Sequence, residues 1–218
     1  WKGVNELLLL SKKGALSYSG KVEYKNNYSM KREEIIQHIV NVSKDDPIVS
    51  TTGKASRELF EIRENNKEGH QKDFLTVGSM GHSSSIALGI AINCPDKKIW
   101  CVDGDGAALM HMGAMAIIGN VSPKNMVHVL INNGSHETVG GMPTVALDID
   151  MIAIAKACGY KYCVCVNSFE DLDKELIEAK KRNELSFIEV KCSIGARENL
   201  GRPTTTPQDN KKRFYGIF

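Results

Sequence analysis

Oxygen-bearing side chains follow two apolar segments of this chain, at the point where each segment ends. Asp105 lies in a Gly-Asp-Gly tripeptide just after the apolar run 99–102, and Asn133 follows the run 126–131 roughly thirty residues later. A carboxylate, an amide oxygen and a nearby backbone carbonyl suit Mg²⁺, which often shares its coordination shell with phosphate groups. The pattern therefore predicts a magnesium ion held against a diphosphate.

Two loops have the composition needed to bind that diphosphate through backbone and hydroxyl groups. Small residues that let backbone N–H groups approach an anion at a helix start follow Asp105, namely Gly106, Ala107 and Ala108. The second loop follows another apolar run and carries two hydroxyls, a glycine and a lysine, namely Thr51, Thr52, Gly53 and Lys54. Its residue types suit a phosphate group. A simple helix cap by one of the threonines is an equally good interpretation, and the two uses can coexist.

Two histidines lie beside these loops and are candidate catalytic residues. His82 follows a glycine-rich segment, and His136 follows Ser135. A histidine there could shuttle protons or hydrogen-bond an anionic substrate, although an ordinary loop residue is the alternative. The remaining histidines are expected to be structural within predicted elements (His38, His111, His128) or solvated in a polar loop (His70).

The rest of the chain indicates how these loops could meet. Apolar strands alternate with helix-compatible segments, which predicts a parallel sheet covered by helices on both faces. We expect six strands, near residues 48–51, 74–77, 99–102, 127–131, 161–166 and 187–190. We expect helices from a cap at Ser29 onward and at 56–63, 83–92, 107–119, 150–158 and 169–181. The fold class is therefore α/β, a doubly wound and mostly parallel six-stranded sheet whose ligands bind at the carboxyl ends of the strands.

Composition argues against several classes of function. The chain has 218 residues, a quarter of them charged, with a net charge of only +2. No basic cluster is interleaved with aromatic residues, so no nucleic-acid interface is predicted. No apolar run approaches the roughly 20 residues of a membrane span. The six cysteines show neither paired CxxC spacing nor zinc spacing, which favours reduced thiols in a cytoplasmic protein.

The pairing of Gly-Asp-Gly with Asn-Asn resembles the signature of thiamin-diphosphate-dependent enzymes. The resemblance implies that Asp105, Asn133 and Ser135 hold Mg²⁺, with the Ser135 carbonyl as one option for the third ligand. It also implies that Met80 supports the bent cofactor while the Gly78 carbonyl accepts a hydrogen bond from the cofactor amino group. Met80 as an ordinary core residue is the alternative. The adjoining Ser79 and Gly134 are further expected cofactor contacts.

Longer segments narrow the resemblance within this family. The segments 50–54, 78–84, 132–137 and 197–207 are similar to the phosphonopyruvate decarboxylases, and the sulfopyruvate decarboxylases are the alternative. The resemblance implies decarboxylation of phosphonopyruvate to phosphonoacetaldehyde. We expect Arg197 or Arg202 in the terminal loop to bind the distal anion of the substrate, unless both serve only to hold the loop.

One part of the family pattern is missing from this chain. Members activate the cofactor with a glutamate on a pyrimidine-binding domain, and nothing here resembles that domain. We expect residues 1–29, with a strand at 6–10, to be the end of that domain and a linker, and residues 30–218 to be the diphosphate-binding domain. A homo-oligomer whose facing subunit supplies the missing domain would be active, and this chain alone inactive. A non-catalytic module that binds Mg²⁺ and a diphosphate is the alternative from another class.

Overall fold

The computed structural model describes residues 25–218, and a parallel sheet forms its centre. Six strands build this sheet, namely β1 (Ile48–Ser50), β2 (Asp73–Leu75), β3 (Ile99–Gly104), β4 (Met126–Asn132), β7 (Tyr162–Val166) and β8 (Ser186–Lys191). They lie in the order β2-β1-β3-β4-β8-β7, and every neighbouring pair is parallel. A small antiparallel hairpin joins β5 (Ser135–His136) to β6 (Met142–Pro143), with a 3₁₀ turn between them at Glu137–Val139.

Helices cover both faces of the sheet. The described helices are α1 (Arg32–Ser43), α2 (Lys54–Asn65), α3 (Ser83–Asn93), α4 (Asp105–Met110), α5 (Gly113–Val121), α6 (Met151–Cys158), α7 (Phe169–Lys181) and α8 (Pro207–Tyr215). Helices α1, α2 and α7 share one core with the sheet, and α3, α5 and α6 share the other. Helix α8 packs beside the edge strand β2. This three-layer arrangement confirms the predicted doubly wound α/β fold.

Strand side chains alternate between the two cores. On β3, Trp100 and Val102 belong to the core under α1 and α2, whereas Cys101 belongs to the core under α3. On β4, Val129 belongs to the core under α1 and α2, and Leu130 belongs to the core under α3. Because both faces of the sheet are buried, its strands are continuous apolar runs rather than alternating patterns.

The chain changes its direction across the sheet at β1. From β1 it passes to the edge strand β2 and then returns to β3 on the opposite side of β1. Thr51 and Asp105, which follow β1 and β3, therefore flank the crevice where doubly wound sheets bind their ligands.

Two helix predictions are corrected by the structure. Ser29 does not cap α1: the residue before the helix is Lys31, in an extended conformation and without a side-chain cap. The Met30 carbonyl accepts hydrogen bonds from the backbone and hydroxyl of Ser193, which keeps this segment extended. The single helix predicted at 107–119 is two helices, α4 and α5, because His111 leaves helical geometry (φ −129°).

At this break the chain packs against the loop after β2. The His111 ring lies over Gly81, where a β-carbon would come within 2.3 Å of the ring nitrogen. Gly81 has a φ of +90°, a conformation that glycine adopts without strain.

The expectation that His70 is solvated is wrong. Its ring is buried, stacks on Phe60 with 4.0 Å between ring centroids, and hydrogen-bonds to Glu64. Helix α8 was not expected, although Thr206 and Pro207 form a local start signal. The Thr206 hydroxyl accepts from the Asp209 backbone N–H at the beginning of that helix. The strand expected at 6–10 and most of the linker lie outside the described residues.

Candidate functional site

A cavity opens at the carboxyl ends of β1, β3 and β4. Ten of the residues predicted for the site line it, namely Thr51, Thr52, Lys54, Met80, Asp105, Gly106, Ala107, Asn133, Ser135 and His136. The topology therefore brings together four loops that are distant in sequence.

The other predicted site residues lie outside this cavity lining. Gly53 borders a neighbouring cavity, and the exposed Gly78 donates its backbone N–H to the Thr52 hydroxyl at 3.1 Å. His82 is exposed, and its ring lies 4.3 Å from the ring of His111. The remaining three, Ser79, Ala108 and Gly134, also do not border the cavity.

The predicted metal ligands are buried and held in place. The Asp105 carboxylate accepts a hydrogen bond of 2.5 Å from Thr144, a residue of the hairpin region that sequence reasoning did not identify. Burial raises the pKa of Asp105, although hydrogen bonds from Thr144 and the Gly106 backbone act in the opposite direction. The Asn133 amide oxygen accepts from the Ser135 backbone N–H at 2.9 Å. These contacts orient the Asp105 and Asn133 side chains at the cavity wall.

Two buried hydroxyls in the cavity lining have no hydrogen-bond partner among residues 25–218. They belong to Thr51 and Ser135, which are 6 % exposed. A buried polar atom without a partner is costly unless a ligand or water satisfies it. Lys54 adds a positive charge, and α2 begins at the same residue without a side-chain cap. This donor set fits a diphosphate and a divalent cation.

The side chains of Met80 and His136 converge on Gly106. A β-carbon at position 106 would lie 2.5 Å from the His136 ring and 3.1 Å from the Met80 methyl group, so a larger residue there would require the His136 side chain to move. Met80 follows two residues with positive φ, Gly78 at 68° and Ser79 at 43°. This turn directs a half-buried apolar side chain toward the cavity, as the resemblance implies.

Comparison with known proteins decides the family. The family model for the thiamine pyrophosphate enzyme C-terminal TPP-binding domain matches residues 51–190. The chain belongs to this family. Within residues 25–218, none of the helices of this thiamin diphosphate domain has the length and hydrophobicity needed to cross a membrane.

Two kinds of decarboxylase are similar to this domain. A phosphonopyruvate decarboxylase from Streptomyces viridochromogenes is 35 % identical over 176 residues, which cover 81 % of this chain and 43 % of that protein. A sulfopyruvate decarboxylase subunit beta from Methanocaldococcus jannaschii is 37 % identical over 84 % of this chain and 95 % of that subunit. The chain thus spans less than half of the first relative and nearly all of the second.

Solved structures agree on the fold. The benzoylformate decarboxylase from Polynucleobacter necessarius superimposes with a TM-score of 0.63 and 16 % identity, over 77 % of this chain and 34 % of that protein. At this identity the likeness concerns the fold alone.

A charged network that contacts Asn133, one of the predicted metal ligands, was not predicted. Glu137 accepts a hydrogen bond from the Asn133 amide at 3.0 Å, pairs with Arg32, and lies 3.7 Å from the Lys54 amine. Arg32 also binds Glu58 through two hydrogen bonds of 2.7 and 2.8 Å. Glu137 follows Ser135 by two residues, but no local pattern indicates partners as distant as Arg32.

Charge pairing stabilises this buried network. Burial alone would lower the pKa of Arg32, but hydrogen bonds and charge attraction from Glu58 and Glu137 outweigh it, and that pKa is raised. Burial raises the pKa of Glu58 against the opposing effect of Arg32. The guanidinium is therefore the fixed charge that holds both carboxylates.

The two terminal arginines occupy different settings. Arg197 binds Glu33 at 3.0 Å and pairs with Glu61, which attaches its loop to α1 and α2. Arg202 is exposed and borders the neighbouring cavity that Gly53 also lines. Because Arg197 is held in ion pairs, Arg202 is the stronger of the two candidates for binding the substrate anion.

A buried polar cluster lies beneath the site on β3 and β4. Asp103 accepts a hydrogen bond from Ser83 at 3.1 Å, and its other oxygen lies 3.4 Å from His128. The opposite ring nitrogen of His128 is 3.0 Å from the Tyr160 hydroxyl. Burial raises the pKa of the adjacent Cys101 thiol well above its ordinary value. The His128 ring is thus buried within the sheet, as its place in a predicted strand implies.

Proposed function

We propose that this chain is the C-terminal cofactor-binding portion of a thiamin diphosphate- and Mg²⁺-dependent 2-oxo acid decarboxylase that converts phosphonopyruvate to phosphonoacetaldehyde and CO₂. One observation carries the proposal. Asp105, Asn133 and Ser135 line one cavity together with Met80, and two buried hydroxyls in its wall lack partners. This supports the proposal because oxygen groups suited to Mg²⁺ and an apolar side chain suited to support a cofactor border the same cavity.

Each part of the cavity has a distinct role in this proposal. Asp105, Asn133 and Ser135 would hold Mg²⁺, since carboxylate, amide and hydroxyl or carbonyl oxygens suit that ion. The Thr51 hydroxyl, the Lys54 amine and the N–H groups at the start of α2 would bind the diphosphate. Of the remaining expected contacts, Met80, Gly106 and Ala107 border this cavity and would pack around the cofactor. The others would reach it only through contacts outside the cavity lining, namely Gly53, Gly78, Ser79, Ala108 and Gly134.

The reaction depends on the cofactor and on a dry, oriented site. Bound thiamin diphosphate supplies the centre that accepts electrons as CO₂ leaves. Met80 would orient the cofactor, and the half-buried His136 beside it would hold or move a proton at a ring nitrogen. His82 lies farther out, so its catalytic role would need a closing loop or the partner domain.

A partner domain completes the proposed enzyme. The relative from Methanocaldococcus jannaschii is named a subunit beta and is similar over nearly its whole length, which supports a second component that carries the activating glutamate. We propose residues 1–29 as the end of such a domain with its linker, residues 30–218 as the diphosphate domain, and a homo-oligomer as the assembly. The six free cysteines support a reducing, cytoplasmic location.

Sulfopyruvate is the second candidate substrate. The two groups of relatives have nearly equal identity to this chain, 35 and 37 %. Both substrates place a tetrahedral anion beyond the 2-oxo acid. Assembled enzyme, meaning this chain together with a pyrimidine-binding partner, should release CO₂ from phosphonopyruvate with the higher kcat/KM. A higher kcat/KM for sulfopyruvate would replace the first candidate with the second.

Cofactor binding by the chain itself tests the metal site. Calorimetry should show thiamin diphosphate binding that requires Mg²⁺, and Asp105→Asn should weaken it by more than about a hundredfold, since even outer-shell metal contacts are worth 10–100-fold. Asp96→Asn, an exposed carboxylate just before β3 at the opposite sheet edge, is the matched control. Equal affinity for thiamin diphosphate in the parent and in Asp105→Asn would exclude Asp105 as a Mg²⁺ ligand. Binding without CO₂ release by the assembled enzyme would favour the non-catalytic module.

A further inference from the structure

A second cavity adjoins the candidate cofactor site and contains two arginines. It lies between the start of α2, the end of β2 and the terminal loop, and it is bordered by Thr52, Arg57, Thr76 and Arg202 among others. Thr52 borders both cavities, so they meet at the same edge of the sheet. A ligand in the first cavity could therefore extend a group into the second.

The two arginines are unpaired. Among residues 25–218, the side chains of Arg57 and Arg202 take part in none of the hydrogen bonds or ion pairs, and no carboxylate borders the cavity. The nearby Asp209 carboxylate accepts from the Thr206 hydroxyl and is not part of the lining. The cavity thus presents two positive charges that no side chain of its lining neutralises.

Hydroxyl and backbone donors surround these charges. Thr76 is 5 % exposed, and its hydroxyl has no partner among the described residues. The cavity lining includes Gly53 and Ser56 at the beginning of the twelve-residue helix α2, which has no acidic residue in its first turn. The α2 start is assigned to the diphosphate in the proposed function, so the two guanidinium groups and the free Thr76 hydroxyl are the groups here that favour an oxyanion.

The terminal loop that carries Arg202 is anchored on both sides. Before it, the Gly201 N–H donates to Glu61 at 2.7 Å. After it, the Asn210 side chain accepts from the Leu75 N–H at 3.2 Å and donates to the Asp73 carbonyl at 3.1 Å, which ties α8 to β2. Hydrogen bonds of the residues on either side therefore hold this loop over the cavity, and Arg202 makes no ion pair of its own among the described residues.

We propose that this second cavity is the subsite for the tetrahedral oxyanion of the substrate, bound by Arg57, Arg202 and the Thr76 hydroxyl. The inference rests on the proposed function, because it places the phosphonate or sulfonate end of a 2-oxo acid whose keto end lies in the cofactor cavity. Two cations match the two negative charges of a phosphonate better than the single charge of a sulfonate. The subsite therefore favours phosphonopyruvate over sulfopyruvate as the substrate.

Probe binding to the chain alone tests the subsite without any catalysis. Titration with methylphosphonate, followed by NMR of the arginine Nε–H signals, should shift the signals of Arg57 and Arg202. Methanesulfonate should bind more weakly, and acetate should cause no such shift. In Arg57→Gln and Arg202→Gln the methylphosphonate affinity should fall about tenfold or more. Arg182→Gln, which removes a guanidinium from the end of α7, should bind like the parent.

Kinetics of the assembled enzyme give the second readout. Arg202→Gln and Arg57→Gln should raise the KM for phosphonopyruvate about tenfold or more and leave kcat within about twofold, because the lost contact lies away from the reacting carbon. Thr76→Val should raise KM less. Unshifted Arg57 and Arg202 signals, or unchanged KM in both arginine variants, would overturn the subsite. Normal probe binding with no decarboxylation of either acid would instead overturn the proposed function and leave an oxyanion site.

Discussion

Two groups of arginine side chains near helix α2 differ in how their charges are paired. In the first group, Arg32 binds Glu58 of this helix, and Arg197 binds Glu61. In the second group, Arg57 and Arg202 border a cavity and have no acidic partner among the described residues. The first group contacts carboxylates of the protein, whereas the second leaves its charges available.

This difference shows how one small region can serve both stability and binding. A buried charge needs a partner, since an isolated one costs several kcal/mol. Arg32, at 7 % exposure, has two carboxylate partners, whereas the exposed Arg202 can remain unpaired in contact with water. We therefore expect variants of the paired group to change stability and variants of the unpaired group to change ligand binding.

The largest effect is expected for Arg32→Met. This change leaves Glu58 and Glu137 without their shared cation, and we expect the free energy of unfolding to fall by about 3–5 kcal/mol in urea titrations. The double variant Arg32→Met with Glu58→Gln should recover part of that loss, because it removes one of the two stranded charges. A loss below about 1 kcal/mol in the single variant would show that the network is not a main source of stability.

Glu137→Gln should have an intermediate effect, and we expect it to change ligand binding at the proposed metal site. The amide keeps the size of the side chain but removes the charge that faces Arg32 and Lys54, and it alters the contact with Asn133. We expect Mg²⁺-dependent affinity for thiamin diphosphate to fall about 10–100-fold, the usual range for groups that orient a metal ligand. Glu178→Gln on the outer surface of α7 is the control. If Glu137→Gln binds thiamin diphosphate as tightly as the parent does, the network around Glu137 does not support ligand binding at the site.

Arg197→Gln should have a smaller effect, confined to stability. Its side chain is 31 % exposed, so solvent weakens its ion pairs with Glu33 and Glu61. We expect the unfolding free energy to fall by about 1 kcal/mol or less, with an unchanged KM for phosphonopyruvate. A clear rise in KM would return Arg197 to the anion-binding candidates.

The smallest effect on stability is expected for Arg202→Gln. No ion pair of the described residues is lost, so the unfolding free energy should stay within about 0.5 kcal/mol of the parent value. Thermal and urea unfolding measure this directly. Substantial destabilisation would mean that Arg202 has a structural partner in solution. The distinction between paired and unpaired arginines near α2 would then be wrong.

The location of the candidate site was largely predictable because its residues are marked by local patterns. Asp105 and Asn133 each follow an apolar run, and parallel strands bring their carboxyl ends to one edge. Met80 required the resemblance as well, since a methionine near a glycine-rich loop is usually a core residue. The break between α4 and α5 was not predicted, and at this point the His111 ring packs against Gly81, a residue distant in sequence.

What the sequence determined by itself is therefore the alternation of strands and helices, the α/β class and the strand-end positions of Asp105 and Asn133. Hydrophobic periodicity and turn residues act over a few positions and can be recognised along the chain. Only the tertiary structure decided that Glu137 contacts Arg32, that His70 is buried on Phe60, and that Arg57 and Arg202 share a cavity. Those pairings join residues far apart in sequence, and packing of the helices against the sheet alone sets which of them meet.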